Sequence, residues 1–144
     1  MNVLIVEDET AAAANLKAIL RSIEPSYDVL AVLESVEETI DYFRDESRPA
    51  PDIVFMDIHL ADGESFRIFD SVDIASPIVF TTAYDEYALK AFKVNSIDYL
   101  LKPIKADDMQ HAIEKFARLS GAERSDYKNK VDTMIETSKR DSQR

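Results

Sequence analysis

The chain has 144 residues, of which 46% are hydrophobic and 31% charged, and its net charge at pH 7 is −11. This length suffices for one domain with a hydrophobic core, and the negative charge argues against direct binding of a nucleic-acid backbone. The lack of cysteine excludes disulfides and thiolate metal sites, and two histidines are too few for a His-rich zinc site. Without a signal-peptide pattern or an apolar stretch of roughly 20 residues, we expect a cytoplasmic protein that does not contact membranes.

Five short apolar runs alternate with helical patterns along residues 1–119. The runs are 3–6, 29–33, 53–56, 78–80 and 97–101. Each is almost continuously apolar, which is typical of parallel strands covered on both faces. Helices are predicted at 10–23 with Thr10 near the cap, after Ser35 to about 47, around 66–69, and at 86–94 and 106–119. The alternation predicts an α/β fold, with an open parallel sheet between two helix layers.

Residues 120–144 have a different composition, with few apolar side chains. Tyr127, Val131, Met134 and Ile135 still recur at helical spacing along one narrow stripe. The segment is either a linker or a C-terminal helical extension that packs on a partner or a second copy. We therefore divide the chain into a domain at 1–119 and this segment at 120–144.

Polar residues follow four of the predicted strands, where the carboxyl ends of parallel strands meet at one edge of the sheet. They are Glu7, Asp8 and Glu9 after the first strand, Asp57 after the third, Thr81 and Thr82 after the fourth, and Lys102 after the fifth. Clustered carboxylates are unfavourable unless a cation neutralises them. One lysine is insufficient for so many acids, which suggests a hard divalent ion such as Mg²⁺.

The same grouping predicts a chemistry for Asp57. A carboxylate beside a metal ion can attack phosphorus and hold an aspartyl phosphate. The metal and Lys102 would balance the charge of the phosphoryl oxygens, and the hydroxyl of Thr82 could donate a hydrogen bond to one of them. We interpret Thr81 as a structural residue, Glu9 as an exposed one and His111 as a solvated helix position.

Four motifs along residues 1–119 resemble the receiver domain of two-component response regulators. They are LIVEDE, VFMDIHLADG, FTTA and YLLKPI, in this order. The stretch TAYDEYALKAFKVNSIDYLLKPI is most similar to receivers that precede LytTR-type (LytR/AlgR-like) DNA-binding domains. The resemblance implies a flavodoxin-like, CheY-like (βα)5 fold, whose five-stranded parallel sheet has the order 2-1-3-4-5.

The resemblance also implies the roles of the strand-end residues. Asp57 would be the phosphoacceptor and, with Asp8, a direct Mg²⁺ ligand, whereas Glu7 would act through water and His59 would offer its backbone carbonyl. Thr82 and Lys102 match the residues that bind the phosphoryl group.

Further positions match parts of the family that switch or tune the site. Tyr99 matches the aromatic switch residue, which acts together with Thr82, and Lys102-Pro103 matches a peptide bond that is cis in the family. His59 and Tyr84 stand at positions that flank the phosphoryl group and tune its lifetime, and we expect the bulk of Tyr84 to restrict attacking water.

We therefore expect a receiver domain that takes a phosphoryl group from a sensor histidine kinase onto Asp57. Phosphorylation would change the face formed by helix 4, strand 5 and helix 5 and would favour a homodimer. It would thereby control transcription through a DNA-binding domain beyond residue 144. Catalysis would be limited to Mg²⁺-dependent self-phosphorylation and self-dephosphorylation.

Other functions remain open at this point. One is a stand-alone receiver that acts only through protein contacts. Another is an aspartate-nucleophile phosphohydrolase, although such enzymes place a second aspartate where this chain has His59. A flavodoxin-like cofactor binder is excluded, because Glu7, Asp8 and Glu9 would repel a phosphate at the first loop.

Overall fold

The computed structural model of the chain describes residues 1–83 and 97–119. Their helices and strands alternate along the chain as predicted. They are β1 (Asn2–Val6), α1 (Thr10–Ile23), β2 (Asp28–Leu33), α2 (Val36–Arg44), β3 (Ile53–Asp57), β4 (His59–Leu60), β5 (Gly63–Glu64), a 3-10 helix (Ser65–Asp70), β6 (Ile78–Thr82), β7 (Asp98–Leu101) and α3 (Ala106–Ala117).

Five strands form one sheet in the order β2-β1-β3-β6-β7. Each neighbouring pair is parallel. Counted in chain order, these strands have the predicted order 2-1-3-4-5, so the predicted fold class is confirmed. The order of the strands reverses between β1 and β3, and in open parallel sheets ligands bind beside such a switch point, outside the carboxyl ends of the strands.

The core has two layers, one on each face of the sheet. Leu4 and Val6 in β1 belong to the layer that packs against α2 and the 3-10 helix. Val3 and Ile5, which alternate with them, belong to the layer that packs against α1 and α3. Both faces of β1 are thus covered, and this explains why its sequence is continuously apolar.

The observed starts of α1 and α2 can be compared with the predicted ones. Ser35 directly precedes α2, as predicted, and it is the N-cap: its hydroxyl accepts a hydrogen bond from the amide of Glu38 at 3.0 Å. In α1 the N-cap is Glu9, without a side-chain cap bond, and Thr10 is the first helical residue. The placement of Thr10 near the cap is therefore correct in position, but its hydroxyl does not act as the cap.

The second helix ends earlier than the predicted position near 47. α2 ends at Arg44, and the backbone amide of Asp45 bonds back to the carbonyls of Asp41 and Tyr42. The carboxylate of Asp45 then accepts hydrogen bonds from the amide and hydroxyl of Ser47. This local side-chain turn competes with helical hydrogen bonding and stops the helix.

The third predicted helix is a 3-10 helix, Ser65–Asp70, preceded by the short antiparallel pair β4–β5. The apolar residues Phe66, Ile68 and Phe69 were predicted as part of an α-helix, but they lie in a 3-10 helix, a form that is common in short connecting segments. The predicted fourth helix (86–94) and the segment 120–144, with its stripe of Tyr127, lie outside the described residues. Within the described ranges, no helix has the length and apolarity required to cross a bilayer.

Candidate functional site

The carboxyl ends of β1, β3, β6 and β7 bring polar residues from four segments to one edge of the sheet. Glu7 and Asp8 directly follow β1, Asp57 is the last residue of β3, Thr82 is the last residue of β6, and Lys102 follows β7. The strands are parallel, so this convergence follows from the topology. The strands β1, β3 and β6 are buried in the core, whereas β7, which precedes Lys102, is a partly exposed edge strand.

Lys102 joins two of the acids. Its ammonium nitrogen, Nζ, lies 2.5 Å from Oε1 of Glu7 and 3.0 Å from Oδ2 of Asp57. The side chains of Glu7, Asp57 and Lys102 are 0%, 6% and 13% exposed, respectively. A buried ion pair is favourable only when its geometry is good and its remaining polar atoms are hydrogen-bonded, and here one cation contacts two carboxylates.

A third acid makes the charge imbalance larger. Single carboxylate oxygens of Glu7, Asp8 and Asp57 all lie within 4.8 Å of one another. With Lys102 as their one cationic contact among the described residues, three ionised carboxylates leave an excess of two negative charges. An all-oxygen donor set with excess negative charge suits a hard divalent cation such as Mg²⁺. The donor set therefore fits the metal that the sequence predicts.

The pKa values of Glu7 and Lys102 reflect their burial and their contacts with each other and with Asp57. Burial raises the pKa of Glu7 to about 7, and hydrogen bonds from Lys102 and from the amide of Glu9 offset this only in part, while the charge of Asp57 raises it further. Burial lowers the pKa of Lys102, but its hydrogen bonds and attraction to Glu7 and Asp57 outweigh that effect and raise the pKa overall. The lysine is therefore a permanent cation near neutral pH.

The main chain around Asp57 holds its carboxylate in place. Asp57 pairs in register with Thr81 of β6, and the next amide, that of Ile58, donates to the carbonyl of Thr81 at 3.0 Å. The amide of His59 donates to Oδ1 of Asp57 at 3.3 Å, whereas Oδ2 contacts Lys102. The two carboxylate oxygens thus have different partners, which fixes the orientation of the side chain.

Thr82 and Lys102 are joined through their main chains. Thr82 pairs in register with Leu101, and the amide of Lys102 donates to the carbonyl of Thr82 at 2.8 Å. Thr82 is buried, with 1% of its surface exposed. The peptide bond between Lys102 and Pro103 is cis, as predicted.

Comparison with known proteins now decides the family, because residues 3–114 match the family model described as the response regulator receiver domain. The chain belongs to the response regulator receiver domain family.

This receiver domain is similar to those of LytT- and AlgR-like regulators. It is 40% identical over 124 residues to the sensory transduction protein LytT of Enterococcus faecalis, a match that covers 84% of the chain and 50% of that protein. It is 33% identical over 121 residues to the positive alginate biosynthesis regulatory protein of Pseudomonas aeruginosa, covering 82% and 48%. The chain thus spans about half the length of these curated relatives.

A solved structure gives the same result for the fold. The crystal structure of the signal receiver domain of a modulated diguanylate cyclase from Desulfovibrio desulfuricans G20 matches with a TM-score of 0.63 and 36% identity, covering 78% of this chain and 90% of that one. The sequence resemblance is therefore confirmed at the level of family and fold.

The remaining predicted residues of the receiver domain differ in position. Tyr99 lies in β7 in register with Phe80 and is partly buried against the core layer of α2. The side chain of His59 is exposed, and the role of its carbonyl as a metal ligand stays a prediction. Thr81 is buried beside Asp57 and fits a structural role. Tyr84 lies outside the described residues.

One residue near the site was missed by reasoning from the sequence. The carboxylate of Asp62 accepts hydrogen bonds from the amides of Val36 and Glu37, at the start of α2. In the sequence, Asp62-Gly63 is an ordinary turn signal, and a turn signal alone predicts no contact with a helix 26 positions earlier.

Proposed function

We propose that this receiver domain accepts a phosphoryl group on Asp57, from a phosphohistidine of a sensor histidine kinase, in a Mg²⁺-dependent reaction. The observation that carries the proposal is the position of Asp57 at the end of a buried strand. There it lies 3.0 Å from the ammonium of Lys102 and within 4.8 Å of carboxylate oxygens of Glu7 and Asp8. A reactive carboxylate, a cation and further oxygen ligands are the parts required for phosphoryl transfer.

Asp8, Asp57 and the backbone carbonyl of His59 would hold the metal ion directly, with Glu7 acting through water. When bound, Mg²⁺ supplies positive charge that neutralises oxygens of the transferred group. It would also relieve the repulsion among Glu7, Asp8 and Asp57, which Lys102 alone does not balance.

In the transfer step, an oxygen of Asp57 forms a bond to phosphorus while the bond from phosphorus to the imidazole nitrogen of the donor breaks. The imidazole leaves and takes up a proton. Lys102, already beside Asp57, would pair with a phosphoryl oxygen. The hydroxyl of Thr82 would donate a hydrogen bond to another oxygen.

Loss of the mark would occur by attack of water on phosphorus, which releases inorganic phosphate and restores the Asp57 carboxylate. We propose no catalysis on other substrates, so the chemistry of the chain is its own phosphorylation and dephosphorylation. His59 and Tyr84 would tune the second rate. Tyr84→Ala should shorten the lifetime of the phosphoprotein, measured as phosphate release, and equal rates would contradict this role.

The output of the switch is also a proposal. Movement of Thr82 towards the phosphoryl group would make space for Tyr99 to rotate inward, which shifts the population between two packings. The face around β7 would then favour a homodimer. The names of the relatives, a sensory transduction protein and a regulatory protein, support transcriptional control through a LytTR-type DNA-binding domain outside this chain. Action only through protein contacts is the alternative.

The direct test is labelling with acetyl phosphate, followed by intact mass and peptide mapping. With Mg²⁺, the wild-type chain should gain one phosphoryl group on Asp57, and a chelator should prevent this. Asp57→Asn should abolish the labelling. Asp52→Asn is a matched control, because Asp52 immediately precedes the same strand, at the opposite end from Asp57. Its carboxylate accepts a hydrogen bond from the amide of Asn2. Labelling of Asp57→Asn at the wild-type level would refute the proposal.

A further inference from the structure

The loop that follows Asp57 packs against α2 through the apolar core, and the side chain of Asp62 adds hydrogen bonds between them. Oδ1 of Asp62 accepts a hydrogen bond from the amide of Val36 at 2.8 Å, and Oδ2 accepts one from the amide of Glu37 at 3.2 Å. These are the first two amides of α2, which have no acceptor within the helix. A carboxylate at a helix N-terminus is also favoured by the helix dipole.

The helix has a second set of caps that does not involve the loop. The amide of Glu38 donates to Oγ of Ser35 at 3.0 Å, and the carboxylate of Glu38 accepts the amide of Glu34 at 2.7 Å. This arrangement resembles a capping box, except that Glu38 bonds to the amide of the residue before the N-cap and not to that of Ser35. Because the box already starts the helix locally, the bonds of Asp62 are an addition that connects α2 to another part of the chain.

The segment that carries Asp62 is closed on itself. The amide of Ser65 donates to the carbonyl of Ile58 at 2.8 Å, and β4 pairs with β5. At the turn, Gly63 has φ of 139°, and Nη1 of Arg67 bonds to the carbonyl of Asp62 at 3.2 Å. Asp62 is therefore at the tip of an ordered hairpin that begins directly after the phosphoacceptor.

The other end of the connection also leads back to the site. α2 begins three residues after the end of β2 at Leu33. The carbonyl of Leu33 accepts a hydrogen bond from the amide of Glu7 at 2.8 Å. Glu7 contacts Lys102, which contacts Asp57. The contacts thus form a closed ring that includes Glu7 and Asp57, and within it the carboxylate of Asp62 supplies hydrogen bonds between the hairpin and α2.

We propose that Asp62 is a positioning residue: by fixing the hairpin to the N-terminus of α2, it holds the main chain of His59 against Asp57. The inference rests on the proposed function for its effect on metal binding and phosphorylation. Asp62 itself touches none of the reacting groups. If Asp62 acts in this way, the position of the His59 main chain at the metal site depends on a residue at the tip of the hairpin, three residues further along the chain.

The test compares Asp62→Ala and Asp62→Asn with Ser35→Ala in the full 144-residue chain. Ser35→Ala is the matched control, because it removes a cap of the same helix but leaves the hairpin attached. Exchange of the amide hydrogens of His59 and Ser65 is measured by NMR, together with the Kd for Mg²⁺ and the rate of labelling by acetyl phosphate.

Asp62→Ala should speed exchange at both amides and weaken Mg²⁺ binding by about 10-fold, the size typical of residues that orient metal ligands indirectly. Asp62→Asn keeps one acceptor oxygen and should give an intermediate effect, which also covers the case in which Asp62→Ala fails to fold. Ser35→Ala should change neither the exchange of His59 nor the Kd by more than about twofold.

Equal behaviour of the Asp62 variants and Ser35→Ala would overturn the inference and reduce Asp62 to a helix cap. Failure of the wild-type chain to bind Mg²⁺ or to be labelled would instead overturn the proposed function. In that case the exchange rates of His59 and Ser65 would still decide whether Asp62 holds the loop.

Discussion

Glu7 combines a fully buried side chain with a carboxylate, and its partner Lys102 is shared with Asp57. An unpaired charge in this position would be strongly unfavourable. The ammonium of Lys102 thus stabilises the charges of two buried acids, Glu7 and Asp57. A third acid, Asp8, lies beside them and completes a site rich in carboxylate oxygens. The same residues that would bind a metal ion repel one another when their charges are not neutralised.

In metal-free buffer, the free energy of unfolding should depend on pH through Glu7. Burial raises its pKa from the usual 4.5 to about 7, so the folded state binds the proton more tightly than the unfolded state. The contribution of Glu7 to stability is thus fully present below pH 4.5 and is lost as the pH rises through about 7. Glu7→Gln should flatten this part of the profile in denaturant titrations.

The control for this prediction is Glu9→Gln, which changes an exposed acid two residues away. It should leave the pH profile of the wild type unchanged. If the wild type and Glu7→Gln lost stability in parallel across this range, Glu7 would not be the titrating group.

Thr81→Val should stabilise the protein. Thr81 is 1% exposed, and its hydroxyl has no hydrogen-bond partner among the residues that the structure describes. Removing a buried, unsatisfied polar atom at nearly constant volume should raise the free energy of unfolding by about 1 kcal/mol in urea titrations. Thr39→Val is the matched control and should lower it, because the buried hydroxyl of Thr39 donates to the carbonyl of Ser35 at 2.8 Å. A loss of stability in Thr81→Val would show that its hydroxyl is satisfied.

At the scale of helices and strands, the elements that are easiest to predict from the sequence are the strands buried on both faces. The runs 3–6, 53–56 and 78–80 in β1, β3 and β6 are continuously apolar because both faces of the sheet are covered, and such runs can be recognised in the sequence alone. The hairpin β4–β5 and the 3-10 helix were not predicted, because Phe66, Ile68 and Phe69 suit several backbone conformations. Similarly, the bonds from Asp62 to α2 join distant segments and have no local signal.

Gly63→Ala should destabilise the hairpin after Asp57. Gly63 has φ of 139°, and an added Cβ would lie 2.7 Å from Nη1 of Arg67. Together the backbone strain and the contact should lower the free energy of unfolding by about 1–3 kcal/mol, measured by denaturant titration. In the Gly63→Ala/Arg67→Ala double variant only the backbone part of the loss should remain once Arg67→Ala alone is subtracted. A neutral Gly63→Ala would mean that the turn adopts another conformation.

At the scale of the whole molecule, the sheet order follows the family resemblance, and the four strand ends meet because all five strands run in parallel. Convergence of the acids with Lys102 could be predicted from the sequence for this reason. The ring through Asp62, the hairpin and α2 could not, since it depends on where two loops lie in space. The site is thus built from strand ends that topology fixes and from a hairpin that the carboxylate of Asp62 connects to α2.

Phosphorylation should favour a homodimer through the face around β7. This face carries Asp98, which pairs with Lys115 at 3.4 Å, and Leu101, which is 38% exposed. Mixed charges beside an exposed apolar residue suit the two-fold pairing of identical surfaces. Light scattering should show a larger mass for the wild type with Mg²⁺ and beryllofluoride, and no change for Asp57→Asn. A monomeric wild type in both conditions would exclude this mode of output.

The most direct measurement is a crystal structure of the chain with Mg²⁺ and beryllofluoride, a mimic of the phosphoryl group. We predict one ion bound by Asp8 and Asp57, beryllofluoride attached to Asp57, and contacts from Lys102 and Thr82 to its fluorine atoms. A structure in which the ion binds elsewhere, or in which Asp57 stays unmodified at saturating beryllofluoride, would contradict the account.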